Sequence, residues 1–596
     1  MCGLNGQINR RAPIDPAVFD AKRDTLRHRG PDDAFSWFSD NGRVALGFRR
    51  LSFLDLSPAG RQPMCNENRD IWLVFNGEIY NYLEIKSELQ QKGHQFSSGS
   101  DAEVIIHGYE QWGRGVLPRL KGMFAFGIWD DRQQQLLLAR DRFGIKPLYY
   151  GSINGSFQFA SEIKALLYGE PGRPALNVKA LGDYLTYRYI PSPDTIWENI
   201  FKLPPAHYLE MRLDGAGNPE TRVEAYWSPR PSYDRLSPEA AIAQVDMLLT
   251  QSVKTHLRSD VPIGAFLSGG YDSSALVDYM KRQGYLPNTF SIGFEGWEHS
   301  EHLYAGIVAE HLQAPLYTAI ATKGELDLLD TLVYHYDEPI ADISIIPTFM
   351  VSQLAAQYNK AVFSGEGADE IFGGYWWQKD IAHYSQRRAV WDWLQQKLLG
   401  KSSFFVEKYA EAMAMGRIDE NNIRRYLHQD RWNQLPPRSD WFYEDNYRPL
   451  EHPLKAFQCM DIRCFMGELV LTKIDRASMA HSLEVRVPFL DHELVEFMLS
   501  LAPKVFYRHN ETKFLLKKNI EKRLPDSILH RPKQGFVGPD SYYMDIAWYA
   551  RQLREGILIQ QKILGREGLQ LMIDEQDHWR LWKFTVLEKW MQHWYE

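Results

Sequence analysis

Two short stretches of this 596-residue chain carry residue types that can do chemistry on their own. The first is the opening run Met1-Cys2-Gly3-Leu4-Asn5-Gly6. A methionine ahead of a small residue is commonly removed, which would leave Cys2 with both a thiol and a free α-amine. Such an amine titrates near ~7.7–8.0, so at neutral pH a useful fraction is an unprotonated base. It can take the thiol proton, directly or through a water, with no histidine, so Cys2 reads as an N-terminal nucleophile. The second stretch is Ser268-Gly269-Gly270-Tyr271-Asp272-Ser273-Ser274. It lies between the apolar Ile263-Gly264-Ala265-Phe266-Leu267 and the helical Ala275-Leu276-Val277-Asp278-Tyr279-Met280. Strand, glycine turn and helix start together present backbone N–H groups to an anion. No Gly-Lys-Ser/Thr is present, so the turn is not a Walker A loop. Without that lysine it suits a held pyrophosphate, with cleavage between the α- and β-phosphates to make an adenylate. Asp272 inside an anion site calls for a divalent cation, Mg²⁺ first. Ser364-Gly365-Glu366-Gly367-Ala368-Asp369-Glu370 follows the apolar Ala361-Val362-Phe363. There Asp369 reads as a second Mg²⁺ ligand and Glu366 as a candidate general base.

The elements that must position these residues change character along the chain. The first ~200 residues read as short strands, tight turns and a few helices. Ile71-Trp72-Leu73-Val74-Phe75 is a buried-strand run ending in Asn76-Gly77. Helical spacing follows through Ile79, Tyr82, Leu83 and Leu89, with Gly93 as C-cap. Residues 123–129 and 136–139 form a hairpin, and two more strands flank Asn154-Gly155. The turn-rich stretch 212–235, with Gly215, Gly217, Pro219, Pro229 and Pro231, is read as a linker. Beyond it Ile242, Val245, Leu249 and Val253 share a helical face. Strands then alternate with helices to about residue 380, which implies a parallel sheet covered on both faces. The remainder is mainly helical, and its tail (Trp579, Trp582, Phe584, Leu587, Trp590, Trp594) reads as a buried or docking helix.

The length calls for more than one domain. Apolar residues make up 44% and charged residues 24%, as in globular proteins. Lys+Arg 68 against Asp+Glu 76 gives a net charge of −8, with no electrostatic footprint for nucleic acid. No apolar run nears the ~20 residues that span a bilayer, and no signal-peptide pattern is seen. Four scattered cysteines do not make a disulfide scaffold, so a reducing cytoplasm is the expected compartment. Cys459 and Cys464 read as core residues. His492-Glu493 does not continue as His-Glu-x-x-His, which rejects a zinc-protease site.

Over nearly its whole length the chain resembles the glutamine-hydrolysing asparagine synthetases. The N-terminal half is similar to a class II glutamine amidotransferase through Cys2-Gly3, His28-Arg29-Gly30-Pro31-Asp32, Arg50-Leu51-Ser52, Asn76-Gly77-Glu78-Ile79-Tyr80-Asn81, Ser100-Asp101 and the run 141–150. The C-terminal half resembles an ATP-pyrophosphatase synthetase domain. To the two glycine motifs it adds Leu483-Glu484-Val485-Arg486-Val487-Pro488 and Arg531-Pro532-Lys533-Gln534-Gly535-Phe536. The fold so implied is a two-domain α/β chain. An N-terminal αββα sandwich of the N-terminal-nucleophile hydrolase type spans 2–211. After the linker, residues 236–596 form a parallel-sheet ATP-pyrophosphatase domain with a largely helical remainder.

The resemblance also implies roles. Cys2 attacks the side-chain amide of glutamine, and Asn76 with the N–H of Gly77 stabilises the oxyanion. Arg50 holds the glutamine carboxylate, Asp101 with Glu78 holds its ammonium, and the backbone from Leu51 to Leu54 lines the pocket. ATP is met by Leu267, Ser268, Gly269, Gly270, Asp272, Ser273, Ile292, Ser364 and Gly365, and Mg²⁺ by Asp272 and Asp369. Aspartate becomes β-aspartyl-AMP, and ammonia reaches it through an internal passage. Glu366 acts as base there, and Lys533 offsets charge on the pentacovalent phosphorus. The partners so implied are small molecules, with no nucleic acid and no membrane, and the oligomeric state stays open, a homodimer being one option. The closest rival changes only the acceptor, to a sugar acid or a natural-product carboxylate. Acceptor choice is expected around Asp337-Glu338-Pro339-Ile340-Ala341-Asp342. Lactam-forming relatives commonly lack the N-terminal cysteine, and sugar-phosphate or purine glutaminases lack the Ser-Gly-Gly-Tyr-Asp-Ser-Ser turn. A silent scaffold would not keep Cys2, Arg50, Asn76, Asp101, Asp272, Glu366 and Lys533 together.

Overall fold

A computed structural model describes residues 2–213, 219–399, 402–432, 438–449, 451–508, 511–531, 535, 536 and 538–595. The N-terminal unit is built from two antiparallel six-stranded sheets. In one, the order is Ile200–Lys202, Tyr149–Ile153, Ser156–Ala160, Gly3–Asn9, Val44–Arg50, Asp33–Phe38. In the other it is Pro219–Ala225, His207–Leu213, Gln135–Arg140, Gly122–Asp130, Ile71–Ile79, Met64–Cys65. Leu4, Leu46, Phe48, Val74, Trp129, Leu138 and Phe159 interdigitate between them as a dry core. The helix Pro16–Asp24 covers the first sheet, and Tyr82–Gln91 with Glu103–Trp112 covers the second. This is the αββα sandwich expected.

The hairpins at 123–139 and 149–160 form as their turn residues demand. The strand Ile71–Ile79 does not stop at Asn76-Gly77 but runs on through both, paired with Gly122–Asp130. Gly77 has φ +151°, and a Cβ there would stand 2.0 Å from the Met123 carbonyl oxygen, so only glycine lets the two strands meet. The stretch 212–235 is not all linker. Pro219–Ala225 pairs antiparallel with His207–Leu213 as the edge strand of the second sheet. Glycine and proline mark a hairpin turn as readily as a linker, and residues 214–218 lie outside the described residues.

The second unit has a five-stranded parallel sheet, ordered Leu316–Ala321, Thr289–Phe294, Ile263–Phe266, Ala361–Phe363, Glu484–Arg486. The chain leaves the central strand Ile263–Phe266 toward one side and later returns on the other, which makes a switch point between it and Ala361–Phe363. The largely helical remainder closes with His578–Trp594. Three of its indoles are buried and satisfied: Trp582, Trp590 and Trp594 donate to the carbonyls of Ala341, Asp337 and Val333 at 3.1, 2.7 and 2.9 Å. Cys459 and Cys464 are buried free thiols. Among the described residues no helix is long and apolar enough to cross a membrane.

Candidate functional site

Cys2 sits half-buried at the start of a central strand of the first sheet. Its backbone nitrogen donates to Asn76 Oδ1 at 2.9 Å, and its Sγ lies 3.8 Å from the Leu51 carbonyl oxygen. Burial pushes the thiol above its ordinary pKa, so a thiolate does not form unaided and a neighbouring base is needed. Asn76 is fully buried, and among the described residues its Nδ2 finds no hydrogen-bond partner. Leaving such a donor unmade is costly, and the cost is explained if the donor awaits an oxyanion.

The walls around Cys2 are charged. Arg50 is buried and donates to the carbonyls of Ser57, at 3.1 Å, and Asp55. Leu51 is buried and Leu54 half-buried on the same loop. Asp101 Oδ2 accepts the Ile79 N–H at 2.7 Å. Burial, with Glu484 nearby, raises the Asp101 carboxyl to about 7. Glu78 is pushed well above the ordinary carboxylate range by burial, against the pull of Arg486. Glu484 and Arg486 belong to the other unit. Arg486 stands 3.3 Å from Glu78 and 2.5 Å from Glu484 and is wholly buried. Burial alone would raise Glu484, yet the chain's terminal amine, then Arg486 and Lys146, hold it down at about 2. The edge strand of the parallel sheet therefore brings its charges to bear on Cys2, Glu78 and Asp101.

A cavity of about 420 Å³ opens at the switch point of the parallel sheet. Leu267, Ser268, Gly269, Gly270, Asp272 and Ser273 line it, facing Ser364, Gly365, Glu366 and Asp369. Gly269 has φ +72°, and a Cβ there would meet the Tyr304 backbone at 2.5 Å. Ser273 Oγ accepts the Ser268 N–H at 3.1 Å and so closes the turn. Glu366 accepts from Ser364 Oγ. Ile292 is fully buried in its strand, and Phe290 and Ser291 take the cavity wall instead. Arg531, Gly535 and Phe536 also line the cavity. Lys533 lies outside the described residues, as does Met1.

Asp272 and Asp369 converge on Lys513, whose Nζ is 2.5 Å from one and 2.6 Å from the other. Burial opposes its charge, but the two carboxylates keep it ionised well above the ordinary lysine range. Two carboxylates aimed at one cationic position beside a phosphate-type turn fit a divalent ion as donors. Burial and Asp369 raise the Glu370 carboxyl to about 8, and Tyr375 donates to it at 2.8 Å. At the far wall stand Arg188, Asp342, Ser344 and Lys473. Lys473 Nζ donates to Ser344 Oγ at 2.6 Å and is 3.8 Å from Asp342. Burial opposes the Asp342 charge, while Lys473 and Arg188 hold its carboxyl below the ordinary range. Of the expected acceptor segment, Asp342 lines the cavity. Asp337 and Glu338 do not: they pair with Lys164 at 2.7 Å and Lys202 at 3.0 Å.

One helix joins the two sites. In Leu471–Met479, Lys473 and Ile474 line the cavity while Asp475 and Arg476 turn to the first unit. Asp475 accepts from Arg29 at 2.9 and 3.1 Å, Arg476 meets Glu162 at 2.8 Å, and Arg29 Nε donates to the Cys2 carbonyl at 3.2 Å. Beside them Lys146 is fully buried, and its Nζ has no hydrogen-bond partner among the described residues. Arg29, Lys146 and Glu484 sit in quoted motifs, but Glu162, Asp475, Arg476 and Lys513 are single charges with no local signal.

Residues 244–593 match the family model described as asparagine synthase, and residues 1–227 match that of a glutamine amidotransferase domain. The chain is 33% identical over 567 residues to "Asparagine synthetase [glutamine-hydrolyzing] 1" of Bacillus subtilis (strain 168), covering 91% of this chain and 88% of that protein. The chain belongs to the glutamine-hydrolysing asparagine synthetase family. A "Putative asparagine synthetase [glutamine-hydrolyzing]" of Mycobacterium bovis is 34% identical, covering 87% of this chain and 83% of its own length. "Amidase chry2" of Gibberella zeae is 29% identical, over 91% and 90%. The Cys2 site lies within residues 1–227 and the switch-point cavity largely within residues 244–593, the ranges that the two family models match.

Proposed function

We propose that the protein is a glutamine-dependent asparagine synthetase. Once Met1 is gone, the Cys2 amine takes the thiol proton, and Sγ attacks the glutamine amide carbon. Asn76 Nδ2 and the Gly77 N–H receive the oxyanion, ammonia leaves, and water hydrolyses the thioester to glutamate. Arg50 binds the glutamine carboxylate, and Asp101 with Glu78 binds its ammonium. At the second site the turn 268–273 holds the β,γ-diphosphate while the aspartate β-carboxylate attacks the α-phosphorus, and pyrophosphate leaves. Mg²⁺, held by Asp272 and Asp369, supplies charge neutralisation on the phosphates when bound. Ammonia, travelling along the buried seam beside the helix Leu471–Met479, displaces AMP. Glu366 takes the surplus proton, and Lys533 offsets phosphoryl charge.

The observation that carries this reading is the buried Nδ2 of Asn76 beside Cys2, a donor with no hydrogen-bond partner among the described residues. The acceptor is read from the far wall of the cavity. Arg188 and Lys473 suit a carboxylate and Asp342 an ammonium, a pairing that an α-amino acid needs and a sugar acid does not. The test is release of AMP and pyrophosphate across a panel of carboxylates. Aspartate is expected to give the highest turnover, and a sugar acid in first place, or ADP with orthophosphate, would reject the proposal.

A further inference from the structure

The second sheet's helical cover carries a cluster of ligand-type side chains that neither reaction uses. His94, His107 and Glu110 each offer one ligand atom, and these atoms all lie within 4.8 Å of one another. His107 and Glu110 are one turn apart on Glu103–Trp112, and His94 comes from the loop after Tyr82–Gln91. Glu110 Oε2 is 2.9 Å from His107 Nδ1 and 3.7 Å from His94 Nδ1. A tetrahedral ion with bonds of about 2.0–2.1 Å separates its ligand atoms by roughly 3.3 Å, between these two values.

The supporting shell is in place. Glu110 Oε1 is occupied by Asn66 Nδ2 at 2.9 Å, which leaves Oε2 to face both rings. The far nitrogens of the rings meet oxygens: His94 Nε2 lies 3.3 Å from Gln111 Oε1, and His107 Nε2 lies 3.7 Å from Glu103 Oε1. Burial opposes the His107 charge, but Glu103 and Glu110 raise its imidazole to about 9, so an ion entering here displaces the Nδ1 proton that now faces Glu110 and leaves the far nitrogen's proton toward Glu103. Glu103 is itself held by the N–H groups of Ser97 and Ser98 at 2.7 and 2.8 Å. The His94 backbone is tied to the Leu89 carbonyl at 3.1 Å. His107 is buried, and Glu110 and His94 are half-buried, so solvent reaches the cluster from the side of His94 and Glu110.

We propose that His94, His107 and Glu110 bind a divalent transition-metal ion, Zn²⁺ first, at a site separate from both catalytic centres. Two imidazoles and one carboxylate select Zn²⁺ over Mg²⁺ or Ca²⁺, which take oxygen ligands. The ion would pin the loop of His94 to the helix that starts two residues after Asp101.

The test uses the full-length protein, stripped with a chelator and titrated with Zn²⁺ against a chromophoric chelator in excess Mg²⁺. The parent is expected to hold one Zn²⁺ equivalent more than His94→Ala, and Glu110→Gln is expected to bind that equivalent at least about tenfold more weakly. Zn²⁺ should raise the melting midpoint of the parent and not that of His94→Ala, whose metal-free midpoint checks that it folds. Co²⁺ in the parent should give the strong visible bands of a four-coordinate site, absent in His94→Ala. Equal zinc content in parent and His94→Ala, or an unchanged midpoint in the parent, would overturn the proposal.

Discussion

Replacing Arg486 by methionine tests the charges that the edge strand brings to bear on the Cys2 site. Arg486 is wholly buried, 3.3 Å from Glu78 and 2.5 Å from Glu484. Glu484 is the partner held ionised, and at 2.5 Å and an effective dielectric of ~20 that pair is worth about 7 kcal/mol before desolvation. Breaking a buried pair by removing one partner typically costs ~3–5 kcal/mol. The variant leaves Glu78, Glu484 and Asp101 together without their guanidinium, and one pKa unit corresponds to ~1.36 kcal/mol. Asp101 starts at about 7. A rise of one unit would leave roughly a tenth of it ionised at pH ~7 in place of half. If the ionised carboxylate binds the glutamine ammonium, glutaminase kcat/KM at that pH should fall about fivefold, with the half-maximal pH moving up by one unit or more. The assay is glutamate release across a pH series, with ammonia-dependent synthesis as the check that the second unit is intact. Arg486→Lys should recover part of the shift. An unmoved profile in a folded Arg486→Met protein would refute the reasoning.

Four further outcomes are expected. Cys2→Ala should abolish glutamine-dependent synthesis and spare the ammonia-dependent reaction, and equal loss of both would break the two-site scheme. In the parent, glutamine kcat/KM should climb as pH rises through about 7, because Asp101 has its carboxyl raised by burial and must ionise to bind an ammonium. Asp101→Asn should be low and flat over the same range. Lys513→Met should slow synthesis at least about a hundredfold while leaving glutamine hydrolysis, since it strips the cation shared by Asp272 and Asp369; normal synthesis would remove that pairing from the mechanism. Lys533→Ala should likewise stop product formation and leave some hydrolysis, as shown by asparagine and glutamate assays run in parallel.

What the sequence revealed is what short contiguous runs can carry. Cys2, Arg50, Asn76, Gly77, Glu78 and Asp101 each sit in a tight motif; in the fold Asn76 bonds the Cys2 nitrogen, Arg50 acts electrostatically on the Cys2 thiol, and Glu78 and Asp101 share the influence of Glu484 and Arg486. The turn 268–273 and Ser364 to Asp369 were readable because glycine and carboxylate clusters after an apolar strand have few other uses. Long-range charges were not readable. Arg29 and Asp475 are 446 residues apart, and an Asp or Arg in a helical pattern usually marks a solvated face. Lys513 precedes the helix Phe514–Ile520 with nothing in its sequence to mark it, and only the fold brings it between Asp272 and Asp369. The strand Pro219–Ala225 was hidden because its turn has a linker's composition. The tryptophan tail was placed correctly in the core, but the carbonyls that receive its indole N–H groups come from over two hundred residues upstream.

The strand Glu484–Arg486 has a consequence for anyone cutting this chain in two. A fragment ending near residue 227 would retain Cys2 and its oxyanion donors, yet Glu78 and Asp101 would face water where a guanidinium had been. Such a fragment would handle its substrate's amino group differently from the intact enzyme. Grafting a foreign glutaminase onto this synthetase would require matching the tip of that strand as well as the Arg29–Asp475 clasp. The two halves are thus one catalytic object, sharing a wall.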